Sequence, residues 1–413
     1  MEILFIHGNY PAQFRTIASD LGNQGIHNIY FLTARKDPEE YPISGVKIRQ
    51  YKDIKNQSES LSSRSQAIAN EQIQRGEIIQ AEIIQLIKHG FRPKLILFHG
   101  GNGLGLFLRQ LLPESTIIGY FEWYFNKNCA RTILGRDDIN TLNFIGARNI
   151  SSESEILSCD ACVTPTKWQA SQFPLKLRDH LTVTFDGVDN KFFKPGPPDL
   201  FNQTVQLQGE ENSLEIQSNE YLLTYATRGM EPLRGFPEFL RALPHLLEQL
   251  PNLKVLIGGR DRSAYGPKCP THGGSWKEMM LDQLPSLRNH PRITYTGLMN
   301  YENYRLMLQR SNLHCYFTQP YVTSWSLFEA AACGTPILTN QSPATTGTLK
   351  IPKENTLAKI SDINKPEGIA KAVSLLRTKA DRYSLLNQSY TIKMAKSNWQ
   401  TLINQALNNK QAQ

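Results

Sequence analysis

The feature that most constrains this chain is a repeated alternation of short apolar runs with longer amphipathic stretches. The runs are rich in Ile, Leu, Val and Phe, and one intervening stretch, Arg64–His89, has helical spacing. Continuous apolar runs are typical of strands buried on both faces, so the pattern predicts parallel sheets covered by helices. The strands predicted in the first half are Ile3–Ile6, Ile29–Leu32, Leu95–Phe98, Thr116–Tyr120, Ala161–Val163 and Leu181–Thr184.

The alternation stops near Phe193–Pro198 and restarts at Tyr221. The segment Asp199–Glu220 is polar and shows no period, which favours an interdomain linker or a surface insertion. The second half predicts helices over Phe236–Gln249 and Tyr301–Arg310. The strands predicted there are Tyr221–Ala226, Lys254–Ile257, Arg292–Tyr295, Leu313–Phe317 and Pro336–Thr339.

This pattern predicts two doubly wound α/β domains in tandem. We place an N-terminal domain at residues 1–195, a linker or insertion at 196–220 and a second domain at 221–381. The remaining residues, 382–413, form a helical segment over Arg382–Asn408 that we expect to pack back toward the N-terminal domain. Ligands bind beyond the carboxyl ends of the strands in such folds, so function is expected in the loops there.

Length and charge exclude some classes of protein. A chain of 413 residues is too long for one ordinary core, which favours two domains. The net charge of +8 is spread along the chain without a basic tract, so phosphorylated ligands or an anionic membrane surface are favoured over nucleic acid. No stretch approaches the length of a membrane-spanning helix, and the start Met1-Glu2 lacks the basic region of a signal peptide.

The 6 cysteines are scattered and predict reduced thiols. Cys159 and Cys162 form a lone CxxC, and Cys269 and His272 a lone CxxH. A zinc site from these four residues stays open as the less favoured alternative, because two correctly spaced CxxC pairs are missing. We expect no metal.

Two strand ends in the first half carry candidate ligand groups. Gly8 follows the first strand and allows a ligand to approach the backbone, although an ordinary turn explains it equally well. His99 ends another strand and opens the Gly-rich loop that contains Asn102, where either a ligand contact or a structural hydrogen bond explains the imidazole. Glu122 lies among aromatic residues that could line a sugar or acceptor pocket or pack in the core.

The first strand of the second half is followed by two arginines, Arg228 and Arg234, around a turn that opens a helix. This spacing could hold a diphosphate between two guanidinium groups and a helix N-terminus. Surface arginines paired with Glu231 are the structural alternative. The G-x-G-x-x-G fingerprint after the first strand and a Walker A loop are absent, which disfavours dinucleotide and NTPase functions.

The stretch "SWSLFEAAACGTP" predicts a helix that Gly334 and Pro336 terminate. Ser326 and Glu329 have the spacing of a capping box, which is a structural role. A helix N-terminus is also an anion site, so Glu329 is either a cap or a ligand group beside a bound phosphate. This segment alone does not decide between the two.

Together these residues resemble the retaining nucleotide-sugar glycosyltransferases of family 4, which have the GT-B fold. In the first half, "FIHGNYPAQFR", "HGGNGLGLFLRQLLPESTIIGYFEWY" and "CDACVTPTKWQASQFP" are similar to the N-terminal domain of one family-4 branch. In the second half, "RGMEPLRGFPEFLRALP", "YTGLMNYENY" and "SWSLFEAAACGTP" resemble the group 1 donor-binding domain. The resemblance implies two doubly wound Rossmann-like domains facing each other across a cleft.

The resemblance also implies roles for individual residues in a hexosyltransferase. Glu329 would bind the ribose hydroxyls of a donor nucleotide, and Arg228 and Arg234 its diphosphate. His99 would act near the transferred sugar. The backbone groups implied in nucleotide binding are those of Ser324, Trp325 and Ser326 at the helix N-terminus, of Gly297, Leu298 and Met299 at the nucleobase, and of Gly8, which would face the phosphates and the acceptor. The resemblance further implies that the N-terminal domain forms the acceptor side and that the second domain binds the nucleotide-sugar donor.

One position departs from the family pattern. Many relatives carry a second glutamate eight positions before the ribose-binding one, and this chain has Tyr321 there. Tyr321, Glu122 and Asn102 are therefore candidates for the donor-sugar or acceptor pocket. The departure also rules out a covalent carboxylate nucleophile at this position and raises the alternative of a catalytically inactive sugar-nucleotide-binding subunit. A GT-B nucleotide-sugar epimerase is a third hypothesis.

The main hypothesis is a metal-independent transfer of a hexose from a nucleotide diphosphate sugar to a hydroxyl acceptor, with retention. We expect a UDP-sugar rather than a GDP-sugar and no further cofactor. The expected acceptor is a glycan or lipid-linked glycan of polysaccharide biosynthesis, with a protein or small molecule as alternatives. The expected location is the cytoplasm, with peripheral contact at an anionic inner membrane face.

Overall fold

The computed structural model describes residues 1–54, 61–346, 348–349, 358–363, 365–375 and 382–412. The chain divides into two compact units. Unit 1 contains Met1–Arg131, Gly135–Gly187 and Ser389–Gln413, and unit 2 contains Thr132–Leu134 and Val188–Gln388. The boundary predicted at residue 381 lies outside the described residues.

The described part of unit 1 is built on a parallel sheet of seven strands with order β3-β2-β1-β4-β5-β6-β7. Its inner strands are buried along most of their length, which is why they read as continuous apolar runs. The strands are β1 (Glu2–His7), β2 (Asn28–Thr33), β3 (Val46–Gln50), β4 (Leu95–His99), β5 (Thr116–Tyr120), β6 (Ala161–Thr164) and β7 (Leu181–Val183). The helices between them are α1 (Arg15–Asn23), α2 (Leu61–Lys88), α3 (Leu108–Leu111), α4 (Lys127–Leu134), α5 (Ile139–Ser158), α6 (Lys167–Ala170) and α7 (Leu175–Arg178).

Unit 2 contains an antiparallel hairpin and, within the residues described, a six-stranded parallel sheet of order β12-β11-β10-β13-β14-β15. Leucines of α8 pack on the sheet in one continuous core, where each buried side chain contributes about 2 kcal/mol. The strands are β8 (Val205–Gln208), β9 (Ser213–Ile216), β10 (Tyr221–Gly229), β11 (Leu253–Arg260), β12 (Ile293–Gly297), β13 (Leu313–Tyr316), β14 (Ile337–Asn340) and β15 (Ala358–Ser361). The helices are α8 (Phe236–Gln249), α9 (Trp276–Gln283), α10 (Tyr301–Arg310), α11 (Trp325–Ala332), α12 (Pro343–Thr346) and α13 (Pro366–Leu375).

The doubly wound parallel sheets predicted from the sequence are confirmed. Each apolar run named above lies in a strand, with bounds that differ by a few residues at most. The helices predicted over Phe236–Gln249 and Tyr301–Arg310 have those bounds in the structure.

The segment 199–220 has a period that the sequence analysis did not detect. In β8 and β9 every second side chain is buried, so the hairpin has one face toward unit 2 and one toward solvent. At its turn, the Glu210 N–H donates to the Leu298 carbonyl at 2.7 Å and the Glu211 N–H to the Thr296 carbonyl at 2.9 Å. The hairpin is thus an integral part of unit 2.

The last helix, α14 (Ile392–Gln411), belongs to unit 1. It begins ten residues later than predicted, because the Thr391 hydroxyl caps it by accepting the Met394 N–H. The preceding Arg382 instead donates to the carbonyls of Gln309 and Ser311 in unit 2. On the buried face of α14, Trp399 stacks on Tyr120 at 6.3 Å between ring centroids.

Candidate functional site

A narrow recess opens in unit 2 where β10 and β13 end. Carboxyl ends of parallel strands are where this kind of fold binds ligands. The recess is lined by Tyr225, Ala226, Thr227, Arg234, Cys315, Tyr316, Phe317, Ser324 and Ser326.

Arg234 is buried at the recess, with 5% of its area exposed. Its Nη1 donates to the Thr318 hydroxyl at 2.9 Å and to the Val322 carbonyl at 3.1 Å. The Tyr225 hydroxyl donates to the Arg234 carbonyl at 2.7 Å. Main chain and side chain are thereby both fixed, and a permanent positive charge is held at the recess.

Glu231 does not pair with the arginines as the structural alternative supposed. Its fully buried carboxylate accepts hydrogen bonds from the backbone N–H groups of Ala264, Tyr265 and Gly266, at 2.8–3.2 Å. Glu231 therefore anchors the loop that follows β11. That alternative is wrong for Arg234, because its guanidinium is buried against other groups.

Arg228 lies outside the recess lining among the residues that the structure describes, and its side chain is exposed. Its carbonyl accepts from Arg262 Nε at 3.5 Å. Burial lowers the pKa of Arg262, and the nearby charges of Arg228 and Arg260 lower it further. The carboxyl end of β10 is therefore flanked by like charges, which an anion would relieve.

The N-terminus of α11 forms one wall of the recess. Its N-cap is Ser324, whose Oγ accepts the Ser326 N–H at 3.4 Å, while the Ser324 N–H donates to the Tyr316 hydroxyl at 3.0 Å. The predicted capping box is therefore wrong, since it required Ser326 as the cap and Glu329 three residues after it. Trp325, the first residue of the helix, is 37% exposed.

The predicted end of this helix is confirmed. Gly334 has φ +64°, and its N–H donates to the Ala331 carbonyl at 3.2 Å. The Thr335 N–H donates to the Ala330 carbonyl at 3.2 Å, which completes a Schellman motif.

Glu329 lies in the middle of α11 beside Tyr304 of α10. Burial raises the pKa of Glu329 to about 7, although the Tyr304 hydroxyl lowers it in part. Burial and the Glu329 charge together raise the pKa of Tyr304. The ligand role of Glu329 stays a prediction.

The predicted nucleobase segment, Gly297–Met299, lies at the end of β12. Gly297 has φ +67°, and Leu298 is 40% exposed. The Leu298 carbonyl accepts the Glu210 N–H of the hairpin turn, so this oxygen is already engaged. Groups of the hairpin turn and of the predicted nucleobase segment thus lie side by side.

Tyr321 forms an aromatic pair with Tyr265, a residue that the sequence analysis did not identify. Their ring centroids are 5.7 Å apart with the planes tilted by 57°. The Arg234 guanidinium carbon lies 5.3 Å from the Tyr265 ring centroid and 5.9 Å from that of Tyr321. Tyr321 thus adds aromatic surface next to the buried cation.

In unit 1, the loop after His99 is held by a buried carboxylate. Glu155 of α5, fully buried, accepts the N–H groups of Gly101 at 2.6 Å and Gly105 at 2.8 Å. Burial raises its pKa to about 7, against these hydrogen bonds, which lower it. Gly103 has φ +91°, and a Cβ there would lie 2.0 Å from the Gln72 carbonyl oxygen, so the loop needs glycine.

His99 lies beside a hydrogen-bonded chain of side chains, to which it is not itself hydrogen-bonded within the described part of the protein. His7 accepts the Asn9 N–H at Nδ1, so its Nε2 donates to Gln13, and Gln13 donates to Glu122 at 3.0 Å. Glu122 Oε2 is 3.8 Å from His99 Nε2, and the His7 and His99 rings are 4.4 Å apart. Burial and the neighbouring His99 hold the pKa of His7 well below its usual value.

The candidates Gly8, His99 and Asn102 line one cavity of about 260 Å³ in unit 1. A Cβ on Gly8 would lie 3.8 Å from the Tyr51 hydroxyl, an ordinary contact, so Gly8 leaves room beside the cavity rather than relieving a clash. The remaining lining residues are His7, Tyr51, Asp53, Arg75 and Leu104.

The open question of a zinc site meets no support. In the part of the chain that the structure describes, no group of three or more His, Cys, Asp or Glu side chains could hold a metal ion. The His272 ring contacts Asp282 through Nε2 at 2.8 Å and Thr271 through Nδ1 at 2.7 Å. No helix in the described ranges has both the length and the apolar character that crossing a membrane requires.

Comparison with solved structures places the fold. Sucrose-phosphate synthase from Thermosynechococcus elongatus is 14% identical, with TM-score 0.67 over 99% of this chain and 100% of that one. The catalytic domain of starch synthase IV from Arabidopsis thaliana, bound to ADP and acarbose, is 8% identical, with TM-score 0.59 and coverage of 98% and 99%. UDP-GlcNAc 2-epimerase from Neisseria meningitidis is 12% identical, with TM-score 0.52 and coverage of 98% and 100%. At these identities the likeness concerns the fold, which is GT-B.

Family models then narrow the class. Residues 25–193 match the model described as glycosyl transferase family 4 group, and residues 209–384 match glycosyl transferases group 1. The chain therefore belongs to the group 1 glycosyltransferases with the GT-B fold. The search of curated proteins returned no match to the sequence.

Proposed function

We propose that this glycosyltransferase moves a hexose from a nucleotide diphosphate sugar to a hydroxyl acceptor with retention of configuration. The observation that carries the proposal is the recess of unit 2, where the buried Arg234 and the N-terminus of α11 meet. A guanidinium and the positive end of a helix dipole are complementary to a diphosphate. The exposed Arg228 at the same strand end adds a second cation.

The proposed chemistry uses the donor's own diphosphate. The acceptor oxygen attacks the anomeric carbon on the face that the leaving group departs from, and the bond from that carbon to the β-phosphate oxygen breaks. The β-phosphate takes the electron pair and then the acceptor's proton. Arg228, Arg234 and the helix dipole stabilise the negative charge that grows on the leaving group. These cations do the electrostatic work of a divalent metal, which supports a metal-independent reaction.

The remaining roles follow the sequence-based expectations. Glu329 binds the ribose hydroxyls, the backbone of Gly297–Met299 meets the nucleobase, and His99 contacts the transferred sugar. We propose UDP as the nucleotide. A glycan or lipid-linked acceptor is favoured, with peripheral contact at an anionic membrane, which the net charge of +8 supports.

The test begins with a thermal-shift screen of UDP, GDP, ADP and their sugars, because a bound ligand stabilises by mass action. The donor that stabilises is then incubated with an acceptor panel, and the anomeric configuration of the product is read by NMR. Two results together support the proposal. Nucleoside diphosphate should be released only when acceptor is present, also in the presence of EDTA, and the product should have the same anomeric configuration as the donor.

Two other outcomes separate the alternatives. Tight donor binding without turnover across the panel would support an inactive partner subunit, the hypothesis that Tyr321 motivates. An altered sugar nucleotide formed without acceptor would support an epimerase. Inverted product configuration would overturn the proposed mechanism.

A further inference from the structure

The cavity of unit 1 contains a cluster of side chains that the proposed transfer has not yet used. Tyr51, Asp53 and Arg75 line it beside His99 and Asn102. Its volume of about 260 Å³ is just below the usual range of small-molecule pockets, so it suits a ligand about the size of one sugar ring.

The Tyr51 hydroxyl is the strongest indication that this cavity binds a ligand. Tyr51 is only 6% exposed, and its hydroxyl has no hydrogen-bond partner among the residues that the structure describes. Burial, and after it the charge of Asp53, raise the pKa of Tyr51, so the hydroxyl stays protonated. A buried hydroxyl without a partner costs about 1–3 kcal/mol, which a ligand that bonds to it would recover.

The charges of the cavity select the kind of ligand. Arg75 Nε lies 3.0 Å from Asp53 Oδ1, and Arg75 Nη2 lies 3.5 Å from Glu71 Oε2. Arg75 is thus paired with two carboxylates, and burial and the neighbouring His99 hold the pKa of His7 well below its usual value. An anionic ligand would have to compete with Asp53 and Glu71 for Arg75, whereas sugar hydroxyls can donate to a carboxylate and accept from a guanidinium or phenol.

We propose that this cavity binds an uncharged sugar ring, the terminal residue of the acceptor, through Tyr51, Asp53 and Arg75. This inference rests on the proposed function, since only a transferase needs an acceptor. It narrows the acceptor class to neutral glycosides and excludes uronic acids and sugar phosphates as the terminal residue.

The experiment measures glycoside binding to the full chain without donor, by saturation-transfer NMR. The neutral probes are methyl glycosides of glucose, galactose and mannose, and the charged probes are methyl glucuronoside and glucose 6-phosphate, which are both anionic. At least one neutral probe should bind, more tightly than every charged one. Tyr51→Phe should weaken that probe about fivefold or more, the loss expected for one hydrogen bond.

Asp53→Asn gives the sharper result. Removing this carboxylate leaves Arg75 undercompensated, so binding of glucose 6-phosphate should improve relative to the neutral probe. The matched control is Tyr295→Phe in unit 2, outside both the recess and the cavity. It removes another tyrosine hydroxyl that has no hydrogen-bond partner among the described residues. This control should bind the neutral probe as the natural protein does.

Preferred binding of any charged probe, binding of no probe, or equal affinities in Tyr51→Phe and the control would each overturn the inference. The proposed function fails in a different way. The proposed function fails when no nucleoside diphosphate binds the protein. Calorimetric titration of the same samples with UDP, GDP and ADP measures this binding independently of the glycoside probes.

Discussion

At the residue scale, the two strongest candidates of unit 2 differ in how the fold holds them. Arg234 is buried and bonded to Thr318 and Val322, whereas Arg228 is exposed at the strand end. A buried, fixed cation is already positioned to stabilise negative charge that develops during a reaction. An exposed cation must first lose bound water and side-chain rotamer freedom. Both are expected to act on the diphosphate, but their loss should have different side effects.

We predict that Arg228→Ala and Arg234→Ala each lower turnover by at least roughly tenfold, because each removes a charge that opposes the leaving group. Arg234→Ala should also lower the free energy of unfolding by about 1–3 kcal/mol, since it leaves buried partners without a hydrogen bond. Arg228→Ala should change that free energy by less than about 0.5 kcal/mol. Initial rates and urea unfolding measure the two effects, and near-normal turnover in both variants would reject the diphosphate clamp.

Glu329 gives a second prediction, which concerns pH. Its pKa of about 7 means that the carboxyl is mostly protonated at pH 6 and mostly ionised at pH 8. Ribose hydroxyls donate to the ionised form, so nucleoside diphosphate affinity should rise with pH through 7, by up to about tenfold. Glu329→Gln should remove this part of the pH dependence, and Glu329→Ala should weaken binding by about 1–3 kcal/mol.

Calorimetric titrations from pH 5.5 to 8 compare the natural protein with Glu329→Gln. The phosphates of the ligand also titrate in this range, and the difference between the two proteins cancels that contribution. Parallel pH profiles would show that Glu329 does not contact the nucleotide.

At the element scale, buried carboxylates shape the loops that carry the candidate sites. Glu231 gathers the N–H groups of the loop after β11, and Glu155 those of the loop after β4. Buried backbone N–H groups need a hydrogen-bond acceptor. In each case these N–H groups belong to a loop without strand or helix partners for them, and a carboxylate from a helix or turn accepts their hydrogen bonds. Each loop is therefore held by a buried carboxylate on its protein side, and its opposite side is available to a ligand.

The pKa of Glu155 makes this device testable. Folding raises that pKa from 4.5 to about 7, so the folded state holds the proton more tightly than the unfolded state. The contribution of Glu155 to the free energy of unfolding is then fully present below about pH 4.5. It falls as pH rises through 7, by at most about 3 kcal/mol. Urea unfolding between pH 4.5 and 8 should show this slope in the natural protein and not in Glu155→Gln.

Glu153, on the exposed side of the same helix, offers the matched control. Glu153→Gln should keep the slope of the natural protein. A slope that persists unchanged in Glu155→Gln would mean that other groups govern the pH dependence.

The burial of each strand decides whether it could be predicted from the sequence. Central strands such as β4 and β10 have both faces covered and read as continuous apolar runs, so they were predicted. The missed strands β3 and β15 lie at sheet edges, and β8 and β9 alternate polar and apolar residues. His7, at a strand end, carried a signal that could have been used, whereas Glu155 and Glu231 act through contacts distant in sequence.

At the scale of the whole molecule, the chain crosses between its units four times, the first two crossings being the short excursion of Thr132–Leu134 into unit 2. It leaves unit 1 after Gly187, builds unit 2, and returns at Ser389 so that α14 completes unit 1. Lys396 of α14 pairs with Asp20 at 2.9 Å, and Trp399 is fully buried beside Phe14 and Tyr120. The core of unit 1 is thus closed only when the last residues of the sequence are in place.

This organisation predicts a separation between stability and nucleotide binding. Trp399→Ala should lower the free energy of unfolding of unit 1 by about 3–5 kcal/mol, because a large ring is replaced by a cavity. The proposed nucleotide groups all lie in unit 2 except Gly8, so affinity for a nucleoside diphosphate should change little at a temperature where the variant is folded. Circular dichroism melts and calorimetric titration at 15 °C measure the two quantities. Asn404→Ala, on the exposed face of α14, should leave both unchanged. A loss of nucleotide affinity in folded Trp399→Ala would mean that unit 1 contributes to nucleotide binding well beyond the backbone of Gly8.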